Sequence, residues 1–316
     1  MSRTVRTLPL GATSDVAPVI VHRAPRPGPT AVVTANVHGD EFGGVYAVHT
    51  LDRWLSDALE RGRVVLHPTL NPSGLAAGTR NLSGDAGDLN RWFPGNESGS
   101  PPERVAAAIW NHLLSFGPAV VVDLHSDTAH GVPYVIVDRR LDGDPDGLEV
   151  AVRALARATG LTVLGEYPDE RYQRYGLDRS LAGAMVNRAG VEAFTLEVGP
   201  RRVRDAAAVE CMVAAIRGVL GHLGLVEGHT ADHPSLVPGD WQRGFPPRAS
   251  ATGLFHPLVE PGQTFAAGTP LAGLRSIEGR NLGVVRAAED GLALSWVDAG
   301  WVRAGTLLGS IAVRVR

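Results

Sequence analysis

The chain has 316 residues, 44% of them hydrophobic, enough for one large domain with a smaller one beside it. A net charge of −3 offers no basic field to nucleic acid or an anionic membrane. All 30 basic residues are arginine, which excludes lysine-dependent chemistry, and the single cysteine, Cys211, excludes a disulfide framework and a cysteine-rich zinc site.

No basic segment followed by an apolar run opens the sequence, and no apolar stretch approaches the ~18 residues of a membrane span, so a cytoplasmic protein is expected. Short β-branched runs alternate with helical patterns up to about residue 225. In chain order, strands are expected at Val19–Val21 and Ala31–Ala35, a helix at Gly44–Leu59 and a strand at Val64–His67. After Thr69–Pro101, a stretch rich in Gly, Asn, Ser and Pro without periodicity, a helix is expected at Pro102–Phe116 and strands at Val120–Leu124 and Tyr134–Val137. Helices at Leu148–Thr159 and Leu181–Ala189, a strand at Ala193–Val198 and a helix at Asp205–Leu223 complete the series. In the last helix Ala208, Met212, Ala215 and Val219 recur at the spacing of a face packed on a sheet, and Cys211 falls in the same apolar pattern. Continuous apolar strands between helices predict an α/β fold: a mostly parallel mixed sheet with helices on both faces.

From about Gly228 to Ala251 the composition shifts to His, Pro, Gly and Asp, which reads as a linker. Within it His229, Asp232 and His233 are read as surface residues, because Pro234 argues against a helix that would align them. Beyond it lie only short strands and turns, with an internal repeat: Val259–Gly262 followed by Ala267-Gly268-Thr269 resembles Val297–Gly300 followed by Ala304-Gly305-Thr306. Two such halves resemble the small barrel-sandwich of biotinyl and lipoyl carriers. Those carriers are modified on a lysine, so here a role in covering the site is expected instead. The expected division is a catalytic α/β domain over 1–228, a boundary over 229–250 and an all-β domain over 251–316 that flanks the active site.

Candidates for chemistry sit at the carboxyl ends of the expected strands. His38 and Glu41 follow Ala31–Ala35 in "TANVHGDEFGG", His125 follows Val120–Leu124 in "VVVDLHSDT", and Glu197 closes "AFTLEVGP". In an open parallel sheet these ends line one crevice. Two histidines and a carboxylate with a position left for water make a catalytic zinc set, and Asp123 is a candidate to support His125. The long loop adds Arg80 and "DLNR" at 88–91; one arginine suits a carboxylate, and another near a metal can face an oxyanion. There is no Gly-x-Ser-x-Gly elbow and no glycine-rich phosphate loop.

His38-x-x-Glu41, "DLNR", "DLH" at 123–125 and "LEVGP" at 196–200, in this order, resemble the succinylglutamate desuccinylase/aspartoacylase family of the zinc carboxypeptidase-like fold group, over most of residues 30–225. The resemblance implies one Zn2+ per chain held by His38, Glu41 and His125, with Glu197 as general base and then acid. It also implies that Arg80 polarises the scissile carbonyl, that Asn90 and Arg91 hold a substrate carboxylate, and that Arg179 in "DRSLAG" is a further substrate-binding arginine. Tyr134, Tyr172 and Tyr175 are candidates for the family's tyrosine. The expected function is hydrolysis of a small N-acyl amino acid, with no nucleic-acid or membrane partner and with self-association into a homo-oligomer left open. The rival readings are a metallocarboxypeptidase acting on short peptides and a silent binding protein of the same fold.

Overall fold

The computed structural model describes residues 1–11, 13–83, 87–228 and 236–315, so His229, Asp232 and His233 lie outside the described residues. Its strands are β1 (Ser2–Pro9), β2 (Val16–Arg23), β3 (Arg26–Ala35), β4 (Arg61–His67), β5 (Val120–His125), β6 (His130–Gly131), β7 (Tyr134–Val137), β8 (Thr162–Gly165) and β9 (Glu192–Glu197). After them come β10 (Trp241–Arg243), β11 (Gly253–Pro257), β12 (Thr264–Phe265), β13 (Pro270–Arg275), β14 (Asn281–Arg286), β15 (Gly291–Trp296), β16 (Trp301–Val302) and β17 (Gly309–Arg314). The helices are α1 (Gly43–Ala58), α2 (Pro72–Ala77), α3 (Pro101–Leu114), α4 (Leu148–Arg157), α5 (Asp169–Arg174), α6 (Leu181–Ala184) and α7 (Ala206–His222).

The large sheet runs β1-β2-β4-β3-β5-β9-β7-β8-β10-β17-β15-β12. Its centre is parallel, β4-β3-β5-β9, and its flanks bring antiparallel pairs. Alternation along the central strands feeds two cores. Ala31, Val33, Val120 and Val122 meet Leu51 and Leu55 of α1 and Ile216 and Val219 of α7, while Val32 and Val121 face Val105 and Ile109 of α3. This is the predicted α/β arrangement with both sheet faces covered.

The helices begin where local chemistry favours it. Ser100 and Glu103 form a capping box around Pro101 at the start of α3, and Asp205 accepts from the Ala208 amide (2.9 Å) to cap α7. Cys211 is half-buried at the margin of the core. No helix among the described residues is long and apolar enough to cross a membrane.

The stretch Thr69–Pro101 contains α2 and a short turn of helix over Leu89–Arg91. The segment expected as a boundary contains β10, whose buried Trp241 lies beside Leu164 in the parallel ladder with β8. Through β10 the large sheet continues into β17, β15 and β12, while β14-β13-β11-β16 form a second, antiparallel sheet. Each half of the repeat supplies a two-residue strand, a glycine in the left-handed region (Gly268 φ 80°, Gly305 φ 85°) and a six-residue strand.

Candidate active site

The glycine-rich turn after β3 is organised by one buried side chain. Asn36 takes a left-handed conformation (φ 58°) and donates from Nδ2 to the carbonyls of His38 (2.9 Å), Gly39 (3.1 Å) and Glu41 (3.1 Å). Its Oδ1 accepts from Thr69 Oγ1 at 2.7 Å. Gly39 is required by proximity, since a Cβ there would lie 2.0 Å from the Gly74 carbonyl carbon of α2. Gly44 lets α1 close on β3, where a Cβ would lie 2.8 Å from that of Ala35. The turn thereby aims His38 and Glu41 at the ends of β5 and β9, whose last residues, His125 and Glu197, pair in register.

His38 Nδ1 lies 2.8 Å from Glu41 Oε1, and His125 Nδ1 lies 3.0 Å from Glu41 Oε2. One atom from each of His38, Glu41 and His125 lies within 4.8 Å of the others, and all three residues are buried. Each imidazole is held from behind by a second carboxylate: His38 Nε2 lies 3.1 Å from Asp88 Oδ1, and His125 Nε2 lies 2.8 Å from Asp123 Oδ2. Asp123 in turn accepts from Thr34 Oγ1 at 2.7 Å. Asp123 and His125 are two apart on β5 and so share a side of the strand. With both Nε2 atoms so held, the Nδ1 atoms and the Glu41 carboxylate converge, a donor set that fits a divalent metal of zinc's type. Burial alone would raise the Glu41 carboxyl, but the neighbouring imidazoles of His38 and His125 outweigh it and hold the group well below its usual range. Burial opposes the charged form of His125, yet Asp123 and Glu41 on either side raise it.

A cavity of about 220 Å³ opens in front of this cluster and is lined by Arg80, Asn90, Arg91, Tyr134 and Glu197 among others. Arg80 Nη2 donates to Asp88 Oδ2 (2.9 Å), and its Nη1 stands 3.6 Å from Glu41 Oε1. Arg91 Nε donates to the Tyr175 carbonyl (3.0 Å), and Asn90 Oδ1 accepts from the Leu181 amide (2.7 Å). Glu197 is half-buried, and its carboxyl is pushed up to about 7, chiefly by burial, with Asp127 and Glu41 adding to the effect and His125 opposing it.

Arg179 is placed elsewhere. It ends a short helical turn over Leu177–Arg179 in which Leu177 and, just beyond, Ser180 face the cavity, and its own side chain is exposed beside Gly176. Of the tyrosines, Tyr134 lines the cavity and donates to Asp127 Oδ2 (2.9 Å), whereas Tyr172 is buried and donates to Asp138 Oδ1 (2.8 Å). Tyr175 lines a larger outer chamber of about 890 Å³.

Arg201, Asp138, Glu166 and Arg243 are among the cavity residues that the sequence analysis did not single out. Arg201, directly after "LEVGP", donates from Nε to the Ser126 carbonyl (3.2 Å) and stands 3.9 Å from Glu41 Oε1. Its place after a strand-end motif could have marked it. Asp138, Glu166 and Arg243 come from the ends of β7, β8 and β10, and only the sheet order brings them together.

A model of the succinylglutamate desuccinylase/aspartoacylase catalytic domain matches residues 27–223. The N-alpha-acetyl-L-2,4-diaminobutyric acid deacetylase of Halomonas elongata is 32% identical over 214 residues, which span 66% of this chain but only 59% of that relative. Among solved structures, an aspartoacylase family protein from Mesorhizobium loti superposes with a TM-score of 0.80 at 24% identity, covering 100% of this chain and 95% of that one. The product-bound ectoine utilization protein EutE from Ruegeria pomeroyi gives 0.79 at 24% identity, over 95% and 89% of the two chains. A metallo-carboxypeptidase from Burkholderia cenocepacia gives 0.57 at 17% identity, over 70% and 64%. At these identities the solved structures show the shared fold.

Proposed function

Because the chain belongs to the succinylglutamate desuccinylase/aspartoacylase family, we propose that it hydrolyses the amide bond of a small N-acyl amino acid. The observation that carries this reading is the convergence of His38, Glu41 and His125 in one cavity with Glu197, Arg80 and Arg91. The relative named for deacetylating an N-acetyl diamino acid supports the choice of substrate class.

His38 and His125 through Nδ1, with the Glu41 carboxylate, would hold one zinc ion per chain. When bound, zinc supplies Lewis acidity that makes a water nucleophilic near neutral pH. Glu197 takes the proton from the attacking water and passes it to the departing nitrogen, which is too basic to leave as an anion. Arg80 faces the oxygen on which negative charge develops, and Arg91 receives the free carboxylate beside the Asn90 amide.

In the same reading residues 1–228 form the catalytic unit, 229–250 the boundary, and 251–316 a β unit that walls the site. Ser310 from the β unit lines the cavity, which supports the walling role. A cytoplasmic location belongs to this reading too. The test is a panel of N-acyl amino acids and short peptides offered to metal-free and zinc-loaded protein. Zinc-dependent cleavage confined to N-acyl amino acids is expected; preferred cleavage of peptides would favour a carboxypeptidase, and binding without turnover a silent binding protein.

A further inference from the structure

We propose that the outer chamber is the seat of the substrate's acyl group, and that this group is aromatic rather than acetyl. This rests on the N-acyl amino acid reading above and adds what the acyl half must be.

The chamber of about 890 Å³ joins the catalytic cavity, and Arg91, Asp127, Leu177, Arg201, Arg243 and Ser310 line both. His38, Glu41, Arg80 and His125 line the inner cavity alone, as do Ile136 on β7 and Thr195 on β9. Asp127 lies two residues past His125, and Arg201 donates from Nε to the carbonyl of Ser126 between them (3.2 Å). A substrate with its carboxylate at Asn90 and Arg91 places its carbonyl at the His38, Glu41 and His125 cluster. The group attached to that carbonyl carbon then leaves past Asp127 and Arg201 into the chamber. The amino-acid side chain stays within the smaller cavity of about 220 Å³.

The chamber's lining favours rings. Tyr167 and Tyr175 meet edge to face with centroids 5.7 Å apart. The Arg171 guanidinium lies 5.8 and 5.7 Å from those two rings and 3.4 Å from the centre of Phe245. Phe245, Tyr175 and Leu307 are 53%, 44% and 43% exposed, and all three line this chamber, as do Val297 and Ala299 of the β unit. Large apolar side chains exposed singly need no explanation. Several exposed in one concave space that joins a catalytic cavity mark a place for an apolar part of the ligand. A flat guanidinium among three rings adds a stacking surface, which suits an aromatic group better than a straight chain.

An anionic acyl group is less well served. Arg243 is tied to Glu166 (2.9 Å), Arg248 donates to the Gly305 carbonyl (2.8 Å), and Arg171 lies against rings. Asp127 and Asp298 line the same space and oppose a second negative charge there. Arg201 presents its guanidinium at the mouth, where an acidic acyl group would compete, so succinyl derivatives belong in the test.

Zinc-loaded protein is assayed on the N-acetyl, N-benzoyl, N-phenylacetyl and N-succinyl derivatives of alanine, aspartate and 2,4-diaminobutyrate. N-acetylphenylalanine, with the ring on the other half, is the control. Within each amino acid the better aromatic acyl group should exceed acetyl by about tenfold to a hundredfold in kcat/KM. Phe245→Ala should remove most of that ratio and Leu307→Gln should reduce it, whereas a mere loss of folded protein leaves a ratio unchanged. Acetyl or succinyl preferred by the wild-type protein overturns the seat whether or not either variant folds. So does a ratio that both variants leave unchanged, or a ring preferred in the amino acid instead of the acyl group. Calorimetry with benzoate and acetate separates the seat from the reaction. Benzoate bound more tightly than acetate by the wild-type protein but not by Phe245→Ala, with no N-acyl derivative hydrolysed, would keep the seat and overturn the proposed reaction instead.

Discussion

Asp123 Oδ2 lies 2.8 Å from His125 Nε2, so the ring presents Nδ1, its other nitrogen, to Glu41. A carboxylate in that position fixes the orientation of a ligating imidazole and raises its basicity. Asp123→Asn should therefore weaken zinc affinity by about 10–100-fold while leaving the fold intact. Chelator competition on both proteins measures it. Equal affinities would show that His125 needs no such support.

His67 gives a separate prediction about stability. It is buried, neither ring nitrogen has a partner among the described residues, and His112 stands 5.3 Å away, ring to ring. Burial, reinforced by the charge of His112, lowers its pKa to about 3 from 6.5. The folded state thus refuses a proton that the unfolded state accepts below pH 6.5. Stability from this residue is present above that pH and is lost as pH falls toward 3. Between pH 7 and pH 5 the loss should be about 2 kcal/mol. Denaturant titrations of wild type and His67→Leu at both pH values should show the variant's slope flattened by that amount; an unchanged slope would place the acid sensitivity elsewhere.

The gathering of His38, Glu41, His125 and Glu197 was legible because each follows a β-branched run, and the ends of parallel strands share one edge. The helices α1, α3 and α7 were legible from apolar periodicity. β1 was not, since its residues are nearly all exposed and show no buried face. Nor was β10, three residues among prolines and glycines, and with it went Arg243. Asp138 and Glu166 carry no local pattern; the order β9-β7-β8-β10 is a tertiary fact. Arg179, suggested by resemblance, is exposed beside Gly176 and does not line the cavity, whereas Leu177 and Ser180 of the same turn do.

Arg91 tests the carboxylate assignment. Its guanidinium is already positioned by the Tyr175 and Asn90 carbonyls, the latter 2.6 Å from Nη1. Lysine keeps the charge but not the planar fork. Arg91→Lys should raise KM about tenfold or more with a smaller change in kcat, and amidating the substrate's carboxylate should have a comparable effect on wild type. Amides cleaved as well as free acids would remove Arg91 from this role.

The reaction itself is tested by two variants whose effects must separate. Glu197 closes β9 beside His125 and is not among the three converging ligand residues, so Glu197→Gln should retain zinc. The amide cannot accept the water's proton, and kcat should fall by about 10²–10⁴. Arg80 needs a second readout. It donates to Asp88 (2.9 Å), which holds His38 Nε2 (3.1 Å), so removing it could act through the metal cluster rather than on the reacting oxygen. If Arg80 meets charge that develops only in the transition state, Arg80→Ala should lower kcat by about 10²–10³ with little change in KM. Zinc affinity should then stay within a few-fold of wild type, because Asp88 keeps His38. A loss of zinc that parallels the loss of kcat would reassign Arg80 to positioning Asp88, and a Glu197→Gln variant that keeps most of its kcat would move the base elsewhere in the cavity.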